Sequence, residues 1–199
     1  MVNLMTIRSF IALPIQKETA DELGDVAAKM SYQDKSNAVN WVGQENYHIT
    51  LAFLGEQNIN DLDSFAERLD EHLTQHEFLV NLSHLSPFPE IKPKILAAMV
   101  EKNEGIQSVH KQVVSSLNAS GLLFDKRKFI PHITLGRYRQ ARSHYTGTVP
   151  MNCSYETFID EVVLYQSNLT RLGAEYEPIY RFPLARFCDA FANTASAPH

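Results

Sequence analysis

Two stretches of this chain pair an imidazole with a hydroxyl at the same spacing: His48-Ile49-Thr50-Leu51 and His132-Ile133-Thr134-Leu135, 84 residues apart. With eight histidines and ten threonines in 199 residues, chance places fewer than one His-x-Thr triplet here. Histidine is the side chain whose ordinary pKa, about 6.5, lies nearest neutrality. One imidazole can take a proton from water while another gives one to a departing oxygen. Threonine hydroxyls can donate to nonbridging phosphoryl oxygens and stabilise the charge that grows there. Two such pairs suit in-line attack at phosphorus, and a strained cyclic phosphodiester is an apt substrate. The bland alternative for a single His-x-Thr is two half-buried polar residues on a strand. Two identical tetrads in matching places argue against it.

The elements that hold the tetrads follow from pattern. In a strand, residues i and i+2 share a face. His48 and Thr50 are therefore expected to point one way, with Ile49, Leu51 and Phe53 toward a core. His132 and Thr134 are expected to oppose Ile133 and Leu135 in the same way. Further strands are expected at Arg8 to Leu13, Trp41-Val42, Tyr47 to Leu54, Phe78 to Leu85, Ile95 to Val100, Phe129 to Tyr138, Glu161 to Tyr165 and Tyr176 to Phe182. Apolar residues at helical spacing predict three helices: Leu23, Val26, Ala27 and Met30; then Leu62, Phe65, Ala66, Leu69 and Leu73, capped by Asn60; then Ile106, Val109, His110, Val113, Val114 and Leu117, closed by Gly121.

Each half of the chain thus reads strand, helix, His-x-Thr strand. The expected fold is α+β and bilobal: a pseudo-twofold duplication with two antiparallel sheets facing a central cleft and helices outside. Residues 1–187 form one such domain, its lobes built roughly from 1–90 and 91–187, and 188–199 form a loose tail. Pro87, Pro89 and Pro93 mark the boundary between halves.

Composition narrows the function. Hydrophobic content of 44%, charged content of 21% and a net charge of −5 describe an ordinary globular chain without an extended basic footprint. A polyanion would have to be held locally, at one phosphate. Cys153 and Cys188 lack metal-ligand spacing and read as free thiols. No signal segment or membrane span is visible, so a cytoplasmic protein is expected; no membrane or stable protein partner is implied, and a monomer is expected on that ground. Serine-hydrolase, zincin and P-loop motifs are absent. His72 and His76 stand four residues apart, a spacing that can bind metal. They fall off the apolar stripe near a helix end, where an imidazolium is favourable anyway. His110 reads as packed on its helix's stripe, and His84 is unassigned.

The tetrads and their flanks resemble the 2H phosphoesterases, most of all the bacterial RNA 2′,3′-cyclic phosphodiesterases, also called 2′-5′ RNA ligases. The likeness spans roughly Arg8 to Phe182. It takes in Arg8 to Leu13, Trp41-Val42, Glu45 through Glu56, Phe88-Pro89, Pro131 through Arg137, Leu164 to Ser167 and Gly173 to Tyr176. The resemblance implies opening of a 2′,3′-cyclic phosphate at an RNA 3′ end to a 2′-phosphomonoester, with no metal or cofactor. It implies that His48 is the proton donor and His132 the acceptor, with Thr50 and Thr134 on the phosphate. It also implies reversible 2′-5′ ligation when a 5′-hydroxyl replaces water. Arg137 matches a basic position after the second tetrad. Plain alternation would turn it into the core, unless Gly136 permits a bulge or the strand has ended. Phe10 and Phe129 are candidates for stacking on a base, with core packing as the alternative. Lys126, Arg127 and Lys128 either steer RNA or form a solvated loop. Two other functions stay open: a non-catalytic RNA-end or nucleotide binder, and a phosphodiesterase acting on 2′-5′ oligoadenylate or a nucleotide-sugar cyclic phosphate.

Overall fold

The computed structural model describes residues 5–139, 145–150, 154–170 and 173–186. Cys153, Cys188 and the stretch 188–199 lie outside the described residues. The elements run β1 (Thr6–Pro14), α1 (Lys17–Gln33), β2 (Val39–Trp41), β3 (His48–Asn58), α2 (Ile59–His72), β4 (Phe78–Phe88), β5 (Ile95–Val100), α3 (Glu104–Ala119), β6 (His132–Tyr138), β7 (Tyr155–Ile159), β8 (Glu161–Thr170) and β9 (Gly173–Pro183).

Helix ends obey local chemistry. Asn103 caps α3 by accepting from the Ile106 N–H at 3.0 Å. Gly121 beyond its end takes φ +71°, the left-handed value a C′ glycine supplies at low cost. The cap of α2 is Asn58, two residues before the expected Asn60. Its side chain accepts from the Asn60 N–H at 2.9 Å, because strand β3 runs on to residue 58 and the helix starts directly from it.

Among the described residues the strands form one curled antiparallel sheet in the order β7-β4-β5-β6-β3-β1-β8-β9, with β2 on β6. Two separate sheets were the sequence expectation. They are joined into one because β3 and β6 meet at Ile49↔Ile133. The strands on either side of this seam come from both halves of the chain. β4 lies on the β6 side, while β8 and β9 lie on the β3 side. The helices cross over too. α1 follows β1 but lies against β2, β6 and β7, and α3 follows β5 but lies against α2 and β3. The simple split at 90/91 therefore does not describe the sheet. Its proline-rich marker is the turn of the β4–β5 hairpin, where Phe88 pairs with Ile95. Pro87 is tolerated inside β4 because β7 reaches only as far as Leu82, so no rung is lost on that side.

One face of the sheet carries the core. Ile11, Leu13, Ile49, Leu51, Leu54, Ile133 and Leu135 are buried there against Leu23, Met30, Leu62, Phe65, Leu69, Ile106, Val113 and Leu117 of the helices. The opposite face bears the tetrads' polar side chains.

Register shifts decide which side chains reach that face. Between β1 and β3, Ala12 pairs with Thr50 and Ile11 with Ala52, so Leu51 is an extra residue. Between β5 and β6, Ala97 pairs with Thr134 and Leu96 with Gly136, so Leu135 is extra. Both tetrads thus end in a β-bulge at the same leucine, and the bulge reverses the alternation beyond it. Phe53, expected in the core, is turned to the polar face and is 46% exposed. Arg137 occupies the corresponding place after the second tetrad.

Candidate active site

The seam builds the site. In an antiparallel pair centred on Ile49↔Ile133, one step along each strand sets His48 toward Thr134 and Thr50 toward His132. A group bound over the seam therefore meets a histidine and a threonine from each side. All four side chains are half-buried.

The two imidazoles are held alike. His48 Nδ1 lies 2.7 Å from the Asn46 carbonyl, and His132 Nδ1 lies 2.7 Å from the Ile130 carbonyl. A carbonyl can only accept, so each Nδ1 carries the proton and each Nε2 is the free valence. In both cases the carbonyl stands two residues before the histidine. His48 Nε2 is 3.1 Å from Thr50 Oγ1, whose hydroxyl donates to it in the neutral ring.

Surroundings differ between the two. His48 sits in an aromatic cage: Phe10 at 5.0 Å, Tyr176 edge-on at 5.4 Å and Tyr165 at 6.4 Å between ring centroids. Burial in this cage lowers its pKa to about 4, against the opposing pull of the Asn46 carbonyl, with the positive Arg137 and neighbouring His132 adding to the depression. His132 touches Phe88 at 5.0 Å. Its pKa is also lowered, first by burial, then by Arg137, against the Ile130 carbonyl. Arg137 therefore stands close enough to act on both rings, and among the described residues no ion pair engages it.

A cleft of about 470 Å³ opens from the seam, within the range of small-ligand sites. Its walls include Thr50, Thr134, His132 and Arg137, then Phe53, Phe124, Phe129 and His110. Several expectations can be placed against it. Phe10 is 3% exposed, and its ring is occupied by His48, Phe53, Tyr165 and Tyr176, so no open face remains for a base. Phe129 does line the cleft, stacked on His110. Lys126, Arg127 and Lys128 are exposed. Arg127 donates to Asp125 at 2.7 Å, Lys126 sits over Phe124, and Arg127 and Lys128 reach the cleft wall. His72 ends α2 and bonds the Arg68 carbonyl, whereas His76 lies past the helix, so they do not share a helical face. Among the described residues no cluster of metal-ligating side chains occurs. His84 is exposed beside Ser83. Sequence pattern missed Phe53, Phe124, Lys94 and His110 as cleft residues. The bulges hid Phe53, and the other three depend on tertiary packing. No described helix is long and apolar enough to cross a membrane.

The curled antiparallel sheet, with this chain's two His-x-Thr strands meeting at its central seam, matches the fold of the LigT phosphoesterases. Residues 13–97 match the family described as LigT like Phosphoesterase, a match that holds the first tetrad. A protein of Aeropyrum pernix named RNA 2′,3′-cyclic phosphodiesterase is 30% identical over 154 residues, covering 72% of this chain and 85% of the relative. One of Thermotoga maritima with the same name is 25% identical over 182 residues, covering 87% and 94%. The crystal structure of Escherichia coli LigT complexed with 3′-AMP superposes with a TM-score of 0.77 at 25% identity, covering 91% of this chain and 99% of that one. The chain belongs to the LigT-like phosphoesterase family.

Proposed function

We propose that this chain hydrolyses 2′,3′-cyclic phosphodiester ends of RNA, or of nucleotides, to 2′-phosphomonoesters. The observation that carries the reading is the matched pair of imidazoles, each anchored through Nδ1 to a carbonyl two residues upstream, with His132 on the cleft wall and His48 Nε2 against Thr50, which also lines the cleft. The names of its relatives support the substrate class.

In this reading the cyclic phosphate lies over the Ile49–Ile133 seam. His132 Nε2 takes a proton from water as its oxygen bonds to phosphorus. The P–O3′ bond breaks, and the His48 imidazolium gives its Nε2 proton to O3′. Thr50, Thr134 and Arg137 bind the nonbridging oxygens, whose charge grows in the transition state. The phosphate's own negative charge offsets Arg137 and raises both imidazole pKa values when it binds, so that His48 takes its proton from solvent. Acid, base and donors are all side chains, so the reaction needs no metal. A 5′-hydroxyl in place of water, deprotonated by His132 as its oxygen bonds to phosphorus while P–O3′ breaks, would give a 2′-5′ bond in the same in-line geometry.

The test is incubation with 2′,3′-cyclic AMP in chelator, with products separated against 2′-AMP and 3′-AMP. The 2′-monoester is expected. Mainly 3′-AMP would mean that the phosphate lies in the opposite sense between the tetrads, and no turnover would leave a binder.

A further inference from the structure

We propose that His110 reads the nucleobase of the terminal nucleotide, a specificity-determining role that rests on the phosphodiesterase reading above. His110 belongs to neither tetrad. It comes from α3, which crosses the seam to pack against α2 and β3, so its ring enters the cleft beside Phe53. The loop after α3 then folds over the same edge, with the Asp125 N–H donating to the Phe53 carbonyl at 2.9 Å. This brings Phe124 and Phe129 to the wall.

The His110 ring lies flat on Phe129, with centroids 3.9 Å apart and planes 5° from parallel. That stack fixes the plane of the imidazole but leaves its nitrogen edge unengaged. Among the described residues, neither ring nitrogen has a protein hydrogen-bond partner. A half-buried polar edge held rigidly in a cleft wall is satisfied by what enters the cleft.

The chemistry of the neighbourhood selects the ligand. The phosphate donors are grouped at the seam, in Thr50, Thr134 and Arg137. Phe53, Phe124 and Ile130 present apolar surface near His110. A flat group with apolar faces and a polar edge fits such walls, and a nucleobase is that group. Burial also lowers the His110 pKa, so the ring is neutral at pH 7. A neutral imidazole offers one donor and one acceptor, suited to an uncharged base, whereas an upstream phosphate would favour imidazolium.

The experiment compares the wild type with His110→Phe, which keeps a flat ring on Phe129 and removes both nitrogens. Substrates are the four 2′,3′-cyclic nucleotides and an abasic ribose 2′,3′-cyclic phosphate. One lost hydrogen bond is expected to raise KM about five- to tenfold for the preferred base, with kcat and the abasic substrate unchanged. Calorimetric titration with the four 2′-nucleotides, which needs no turnover, is expected to show the same selective loss. Equal weakening of every ligand, the abasic one included, would assign His110 to ribose or phosphate and overturn the proposal. An unchanged base preference would overturn it too. If the wild type turns over no cyclic phosphate, the activity reading fails by itself, and the titration still decides the role of His110.

Discussion

A histidine on a strand does acid–base chemistry when one nitrogen is tied down and the other is left facing a substrate. In both tetrads Nδ1 is tied to a carbonyl two residues upstream. His48→Ala and His132→Ala are each expected to lower kcat by at least about 10², as removal of a general acid or base does. Circular dichroism should show both still folded, and near-wild-type turnover in either would remove that histidine from the mechanism. The pH dependence follows from the lowered pKa values. In the proposed mechanism the productive free enzyme has His48 protonated and His132 neutral. Since burial sets His48 at about 4 and His132 below its usual value, both flanks of kcat/KM belong on the acid side of about 6.5. Between pH 6.5 and 8.5, kcat/KM is expected to fall about tenfold per unit, because the proton on His48 becomes scarcer. The kcat profile should lie to the alkaline side of it, since bound phosphate raises both values. The two flanks belong to the coupled pair. A kcat/KM that rises through pH 6.5 to an alkaline plateau would withdraw the acid role from His48.

At the scale of the element, the β-bulge after each tetrad shows what could be read from sequence and what could not. Strand periodicity placed His48, Thr50, His132 and Thr134 on one face, and Ile49, Leu51, Ile133 and Leu135 on the other, as observed. It failed one step later at Phe53, because an inserted residue changes parity without any mark in hydrophobic pattern. Gly136 was the one visible hint for Arg137, and the structure gives its reason. A Cβ there would collide with Val39 Cγ1 on β2, the strand that pairs along β6. Gly136 is thus needed for the close approach of β2, not for an unusual backbone angle. Gly136→Val is expected to destabilise the fold by about 1–3 kcal/mol, the range for overpacking. It should also lower activity by disturbing Arg137, read as a raised KM for cyclic phosphate. Urea unfolding and steady-state kinetics check the two halves. A variant of wild-type stability would mean that β2 moves aside without cost.

At the scale of the whole molecule, element order was legible except for β7, which the sequence pattern did not mark, but assembly was not. Each chain half carries strand, helix and tetrad strand, yet β4 and α1 serve the β6 side while β8, β9 and α3 serve the β3 side. Nothing local distinguishes a strand that pairs within its half from one that pairs across it, because both bury the same apolar face. The consequence is a cleft formed from both halves, in which folding confines His48 among Phe10, Tyr165 and Tyr176, brought from β1, β8 and β9. That confinement links site and stability. Above pH 6.5, His48 is neutral in both folded and unfolded chains and contributes no pH dependence. As pH falls, the unfolded chain takes the proton first, near 6.5, while the folded chain resists until about 4. Stability is therefore lost across that window by about 1.4 kcal/mol per unit, or about 3 kcal/mol in full for this one group. His132, lowered for the same reason, acts in the same direction. Urea titrations at pH 7 and pH 5 should show the wild type losing stability, most of it before ordinary carboxylates titrate. His48→Gln cannot take the proton in either state, so its loss over the same interval is expected to be smaller by about 2 kcal/mol. Equal losses in the two proteins would mean that the cage does not hold His48 neutral, and the acid displacement of the kinetic profile would fall with it.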